Sequence, residues 1–423
     1  MDGFLQKIKT IFGDRQLRGR ILFVLGALVI TRLLSAIPIP GVDIFALQQF
    51  IANNQFFGLV NLFSGGGLSG LSIVMLGVGP YITGSIIMQL LTLVSPRLKS
   101  MYHEEGEAGR RKASQYSRLL TVPLATLQAF GFITLFQNNG IIPPLAGMEL
   151  LTNMIVITAG SLLLMWIGEL IGEFGIGNGM SIVIFSGIVA GLPGAVQQLA
   201  ITFTPDQLPI YLGFLLIALL VIFGVVIITE AERPIPVTYA KRMQGNKTYG
   251  GVSTYIPLRL NQAGVMPIIF ALSILLFPQM IAKFFAGSTN AIVQSVSEFI
   301  NTVLTNQLWY GALYFGLVFL FTYFYTAVTF DPDAMAKNLQ RSGAFIPGVR
   351  PGESTATYVA DVLTRLTLLG ALFLALIAVL PLIMQSATGI QTLAIGGTGV
   401  LIVISVIIDF IKKVDAQISM REY

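Results

Sequence analysis

The side chains that ordinarily carry chemistry are scarce in this chain. It has one histidine, His103, and no cysteine. That composition excludes thiolate catalysis, disulfides and cysteine metal sites. His103 stands in the strongly basic stretch between Arg97 and Arg118. The ionisable residues in or beside long apolar runs include Arg32, Glu169, Glu173, Asp361, Arg365 and Asp409. All but Arg32 lie near run ends, where long polar side chains reach water; Arg32 is about two turns from an end. Pumps and ion-coupled transporters place such groups mid-membrane as relays or ion sites. An intramembrane protease needs a nucleophile with its base, or a pair of carboxylates. Neither pattern is present, so no enzyme activity, metal or cofactor is expected. What remains are amides and hydroxyls at Thr83, Ser85, Gln89, Asn261 and Gln262, with Pro80, Pro267 and Pro278 interrupting apolar helices. Close helix packing through small residues accounts for this pattern. The functional alternative is a set of helices that can shift against one another.

The elements that must position these residues are membrane spans. Of 423 residues, 54% are hydrophobic and 11% charged, against about 25% charged in soluble domains; mean hydropathy is +0.80. Ten runs approach the ~20 apolar residues a helix needs to cross a bilayer. They are 21–37, 72–94, 118–137, 152–172, 180–199, 209–229, 263–285, 307–329, 360–382 and 391–411. The expectation is an all-α polytopic membrane protein, because only closed helices satisfy their own backbone in lipid at this length. Of the 25 Lys and Arg residues, all but Arg32 and Lys283 fall in alternate connections or at the two termini. By the positive-inside rule both termini are cytoplasmic, and an even number of spans agrees. Lys7, Lys9, Arg15, Arg18 and Arg20 open the chain with no small-residue cleavage site, so no cleaved leader is expected.

Three connections stand out. "NLFSGGGLSG", Asn61 to Gly70, is an apolar stub broken by glycines, too short to span, and it runs straight into the span that begins at Leu71. Thr229 to Pro267 alternates β-branched and aromatic residues with polar ones and is punctuated by Pro, Gly and Asn; it predicts a protruding hairpin. Thr329 to Val359 carries a short helical pattern and then the stiff turn "IPGVRPG" with Arg350 at its tip. A lone Arg held outward suits a phosphate or carboxylate on a partner. Binding to anionic lipid is the blander alternative.

Six stretches in order carry a resemblance: "IPIPGVD", "EGEAGRRKASQYSR", "GIGNGMSIVIFSGIVAG", "VTYAKRMQG", "LNQAGVMPIIFA" and "RSGAFIPGVRPGESTATY". The chain resembles the SecY family, the channel subunit of the bacterial Sec protein translocase, from Arg18 to its tail. The resemblance implies ten transmembrane helices in two pseudo-symmetric five-helix halves, 1–205 and 206–423, around a central pore. It implies a plug helix near 61–70, with Phe63, Ser64, Gly65, Gly66, Gly67 and Leu68, that is able to line a cavity at membrane depth. It implies a pore ring of Val78, Ile82, Ile184, Ile188, Ile269 and Ile402, where Val78 replaces the usual Ile, and a lateral gate lined by Thr83, Gln89, Asn261 and Phe277. Cytoplasmic loops near 230–262 and 330–359 match a docking surface with Lys241, Arg242 and Arg350 as contacts. The implied partners are SecE and SecG subunits, the SecA motor ATPase, the ribosome, signal peptides and nascent chains, and membrane lipids. The implied function is a protein-conducting channel of the bacterial plasma membrane that passes unfolded secretory chains and releases transmembrane segments into lipid. The rival classes are a secondary transporter of small solutes and a lipid flippase; a transporter needs a solute-specific polar pocket near the midplane, which these spans do not supply.

Overall fold

The computed structural model describes residues 13–39, 61, 64, 66–68, 70–103, 105–138, 140–145, 147–201, 208–239, 242–244, 247–249, 253–285, 291–388 and 391–422. Helices account for most of them: α1 (Arg15–Ser35), α2 (Gly79–Val94), α3 (Pro96–His103), α4 (Gly106–Asn138), α5 (Met148–Phe174), α6 (Gly179–Ile201), α7 (Leu208–Glu230), α8 (Met266–Phe285), α9 (Ala291–Thr305), α10 (Gln307–Thr329), α11 (Pro332–Arg341), α12 (Glu353–Thr388) and α13 (Gln391–Glu422). Strands are confined to the segment between α7 and α8 and the one after α11: β1 (Glu232–Tyr239), β2 (Arg242–Gln244), β3 (Lys247–Tyr249), β4 (Ser253–Arg259) and β5 (Ala344–Phe345).

Each of the ten expected spans overlaps a helix, nine of them along nearly all of their length. By length and composition alone, four helical stretches among the described residues suffice to cross a membrane: Gly106–Gln137, Met148–Phe174 and those beginning at Gln307 and Glu353. Several helices outrun their apolar segments. α4 starts at Gly106, well inside the basic connection, and α13 continues past Ile411 to Glu422. Charged residues do not end a helix in water, and i,i+4 pairs such as Arg111–Glu107 at 2.9 Å and Lys413–Asp409 at 2.9 Å support it.

The second expected span is the exception. A continuous helix from 72 is replaced by a run of turns that gives way to α2 only at Gly79. Leu71 and Gly77 adopt left-handed backbone (φ 38° and 59°), and Pro80 sits in the first turn of α2 without an N–H to pass back. The apolar composition of 72–78 was legible, but its backbone was not.

Contacts divide the chain into two compact units: Met1–Gly213 with Leu272–Tyr310 and Pro381–Tyr423, and Phe214–Ala271 with Gly311–Leu380. In the first, α2 packs on α4, α4 on α5, α5 on α6, and α6 on α13, while α1 lies along α5. α5 and α6 approach so closely that a Cβ at Gly179 would stand 1.7 Å from the Gly168 carbonyl oxygen. One core here gathers Leu68, Leu71, Met75 and Leu76 with Ala125, Ala129, Phe132, Ile133 and Phe136 of α4 and Ile157 of α5.

In the second unit, β1 and β4 form the expected antiparallel hairpin, paired from Glu232↔Arg259 to Thr238↔Ser253. Pro234 faces Pro257, so neither strand needs a donor from the other there. β5 joins the far side of β1 only at Thr238 and Tyr239, beyond both prolines of β1. The sheet order is therefore β4-β1-β5, and one sheet unites the two long connections. Ile235 and Val237 point inward at period two, onto Leu258, Ala344, Ile346, Val359 and Val362, with Met335 and Leu339 of α11 packed beside them. α11 is started by Asp331, whose carboxylate accepts from the backbone N–H groups of Asp333 and Ala334, both at 3.0 Å.

Candidate functional site

The turns that lead into α2 are stitched by short hydrogen bonds. The backbone N–H groups of Leu71, Met75 and Gly77 donate to the carbonyls of Leu68, Ser72 and Val74 at 3.1, 2.9 and 2.9 Å. Ser72 donates its hydroxyl to the Gly67 carbonyl at 3.0 Å, and Ser64 Oγ accepts from the Leu68 N–H at 3.1 Å. The chain after α1 flanks the run: Ile39 N–H donates to Leu71 O at 2.9 Å and Ile73 N–H to Ile37 O at 3.0 Å. From α5, Ser161 Oγ donates to the Gly77 carbonyl at 2.9 Å. A Cβ at Gly160, one residue earlier, would lie 2.1 Å from the Ile73 oxygen. Backbone that leaves the helical ladder thus keeps its polar groups satisfied among protein neighbours, as it must at membrane depth.

Within this frame the expected plug residues Ser64 and Leu68 are buried, Leu68 completely. Gly66 is left-handed (φ 81°), and a Cβ there would stand 3.3 Å from Arg32 Nη1. Arg32, the one basic residue well inside a span, therefore reaches the glycine-rich stub. Phe63 and Gly65 lie outside the described residues.

All six expected ring residues are buried, none more than 5% exposed. Val78 caps α2 and Ile82 follows one turn later, its N–H donating to Val78 O at 3.1 Å. Ile184 and Ile188 are likewise one turn apart, on α6, and Ile402 is on α13, the helix that packs along α6. Ile269 lies in the first turn of α8. Beside it Phe270 meets Phe321 and Tyr325 of α10 edge-on, with ring centres 6.1 and 5.8 Å apart.

The polar residues on α2 and before α8 are also buried or nearly so. Thr83 Oγ1 donates to the Gly79 carbonyl at 3.0 Å. Gln89 Nε2 reaches Ser85 Oγ at 3.4 Å, and Asn261 Nδ2 donates to Gly264 O at 3.2 Å. Among the described residues, the amide oxygens of both Gln89 and Asn261 are buried and accept no hydrogen bond from the chain. An amide oxygen so placed is held at a cost of about 1–3 kcal/mol. The side chain of Phe277 is outside the described part of the molecule.

Arg350 is exposed, on a turn between left-handed Gly348 (φ 83°) and Gly352 (φ 104°). Thr355 Oγ1 donates to its carbonyl at 2.8 Å and fixes the turn against α12. Arg242 opens β2, paired with Tyr249; its side chain, and all of Lys241, are outside the described residues. Residue types did not reveal Ser161, whose only signal was a lone hydroxyl in a leucine-rich span, or the partner of Glu169. Glu169 accepts from Arg118 Nε at 2.6 Å and ties α5 to α4. The notional interfacial carboxylate is one half of an ion pair.

Comparison with known proteins gives this arrangement its context. The SecY family model matches residues 72–411. The protein translocase subunit SecY of Mycobacterium bovis is 42% identical over 448 residues, covering 100% of this chain and 99% of its own. The Haemophilus influenzae subunit is 42% identical over 427 residues, covering 99% and 95%. A solved structure of a protein conducting channel shares the fold at a TM-score of 0.64, with 18% identity over 96% of this chain and 93% of its own. Sec61 from a canine ribosome–channel complex does so at 0.60, with 16% identity and the same coverage. With the whole chain aligned at this identity and the fold shared end to end, the chain belongs to the SecY family.

Proposed function

We propose that this chain is the channel subunit of a protein translocase in the bacterial plasma membrane, conducting unfolded secretory polypeptides and releasing transmembrane segments sideways into lipid. The observation that carries this reading is the largely buried, non-helical run 70–78, which leads into a helix of only 16 residues. Irregular backbone of this kind belongs where protein lines a passage. The segment near 61–70 acts as the plug. Val78, Ile82, Ile184, Ile188, Ile269 and Ile402 form the constriction, a ring of branched apolar side chains that cannot replace an ion's water and that closes by dewetting. Halves 1–205 and 206–423 are the two pseudo-symmetric repeats.

Thr83, Gln89, Asn261 and Phe277 line the lateral exit. The uncompensated amide oxygens of Gln89 and Asn261 support this, since groups that must part and re-form contacts are poorly served by a fixed partner. Lys241, Arg242 and Arg350, carried on the β4-β1-β5 platform and its neighbours, dock the SecA motor and the ribosome. A channel of the same fold is seen bound to a ribosome in the canine complex. SecE and SecG complete the complex, and the basic connections place both termini in the cytoplasm. The ion pairs of Glu169 with Arg118 and Asp409 with Lys413 weigh against a solute transporter, because these carboxylates serve helix ends.

The test is reconstitution with SecE, SecG and SecA in proteoliposomes and transport of a secretory precursor to a protease-protected form. Transport driven by SecA and ATP is expected. Its absence, together with uptake of a small solute by the same vesicles, overturns the reading.

A further inference from the structure

α9, the 15-residue helix between α8 and α10, was not anticipated as an element, and nothing in the channel reading uses it. Its side chains divide cleanly at 100° per residue. Ile292, Val296, Phe299, Ile300, Val303 and Leu304 fill one arc. Gln294, Ser295, Ser297, Glu298, Asn301 and Thr302 fill the other. Ile292, Val296 and Phe299 are exposed to 76%, 53% and 70%. Ser297, on the seam between the arcs, is buried and donates its hydroxyl to the Ala282 carbonyl of α8. That bond fastens one flank of α9 to the end of α8, with Ile300 and Leu304 half-buried towards the same side. The Ile292–Val296–Phe299 flank is left facing outward.

The neighbouring residues set the depth at which it lies. A single residue, Asn306, separates α9 from α10. Its N–H donates to Thr302 O at 3.1 Å, and its Oδ1 accepts from the N–H groups of Leu308 and Trp309 at 3.0 and 3.4 Å. α9 therefore ends where α10 begins, beside exposed Leu308 (75%) and Trp309 (58%). A tryptophan at the mouth of an apolar helix marks the boundary between headgroups and acyl chains.

We propose that α9 is an interfacial anchor: it lies in the plane of the membrane with Ile292, Val296 and Phe299 sunk into the acyl boundary and Gln294, Glu298 and Thr302 in the headgroups. Its occupant is lipid, because the exposed flank is continuous with the Leu308–Trp309 entry of a membrane span. Interfacial helices usually add basic residues to hold anionic lipid. α9 has none and carries Glu298, so its seating depends on apolar area and not on lipid charge.

The absence of cysteine allows single labels in the full chain. Val296→Cys, Phe299→Cys, Gln294→Cys and Glu298→Cys are each labelled with a nitroxide and reconstituted in phosphatidylcholine vesicles, with and without phosphatidylglycerol. Collisional relaxation by oxygen, which concentrates in acyl chains, and by a water-soluble nickel chelate is measured for each. Labels at 296 and 299 are expected to respond to oxygen over nickel, those at 294 and 298 to do the reverse, and both patterns to be indifferent to phosphatidylglycerol. Nickel access at 296 and 299 equal to that at 298 overturns the proposal by placing the flank in water. Shielding from both reagents overturns it in favour of a covering subunit or second copy. Insertion only with anionic lipid overturns the apolar mechanism. None of these outcomes depends on transport activity.

Discussion

At the scale of single residues, two predictions bear on the seal. Ile402 is buried and Ile408 only half-buried, almost two turns along the same helix. An amide at 402 brings two donors and an acceptor to the proposed constriction, whose six side chains offer none, so Ile402→Asn is expected to lower the cost of wetting the pore. It also biases the closed–open equilibrium towards opening, so weaker signal sequences suffice. Resting ion conductance in planar bilayers is expected to rise for Ile402→Asn and to change little for Ile408→Asn. Equal conductance for both variants and the parent removes Ile402 from the seal. Ser161 supports the residue before Val78 of the proposed ring: its hydroxyl donates to the Gly77 carbonyl. Ser161→Ala removes that donor from a buried oxygen, a loss of about 1–3 kcal/mol. A lower thermal midpoint together with brief spontaneous openings is expected. A lower midpoint with an unchanged closed state makes Ser161 structural only.

At the scale of elements, the two long connections behave as one platform. β1 is shared by β4 and β5, and Leu258 of β4 is fully buried against Ala344 and Ile346. Leu258→Ala deletes core volume worth about 2–5 kcal/mol. Hydrogen exchange is expected to quicken in β1 and also in β5, some 86 residues downstream in sequence (Leu258 to Ala344), while α4 and α5 stay protected. Exchange that quickens in β4 alone means that the connections fold independently. The prolines explain why this sheet stays small: Pro234 and Pro236 withhold donors from the edge of β1 that β5 leaves uncovered.

At the scale of the whole molecule, the proposed docking of a motor rests on charge held outward beside the platform. Arg350 stands exposed on a turn fixed by Gly348, Gly352 and the Thr355 hydroxyl. Arg350→Glu is expected to leave folding and membrane insertion intact and to lower SecA-driven transport more than tenfold at limiting SecA, since reversing one close charge contact exceeds the ~1.4 kcal/mol that a factor of ten represents. Raising SecA should restore part of the rate. Undiminished transport of a precursor at limiting SecA removes Arg350 from the contact.

Much of this protein could be read from its residues. Apolar runs of span length each fell on a helix, although the second helix begins only at Gly79, because a bilayer imposes its thickness on composition. Alternation and proline placement located the β1–β4 hairpin. The proposed ring and gate residues rest on the family alone, since an isoleucine in a span has no signature of its own. Tertiary structure alone decided the rest. Residues 72–78 have the hydropathy of helix, yet they turn, because Ser161, Gly160 and the chain at Ile37–Ile39 offer their backbone partners that a lone segment lacks. β5 is two residues long and has no signal until β1 is beside it. Glu169 looked like an interfacial carboxylate until α4 brought Arg118 within 2.6 Å. α9 is amphipathic in sequence, but which flank is covered was settled by one hydroxyl on the Ala282 carbonyl. Composition reports the solvent a segment meets; the hydrogen bonds between distant segments belong to the fold.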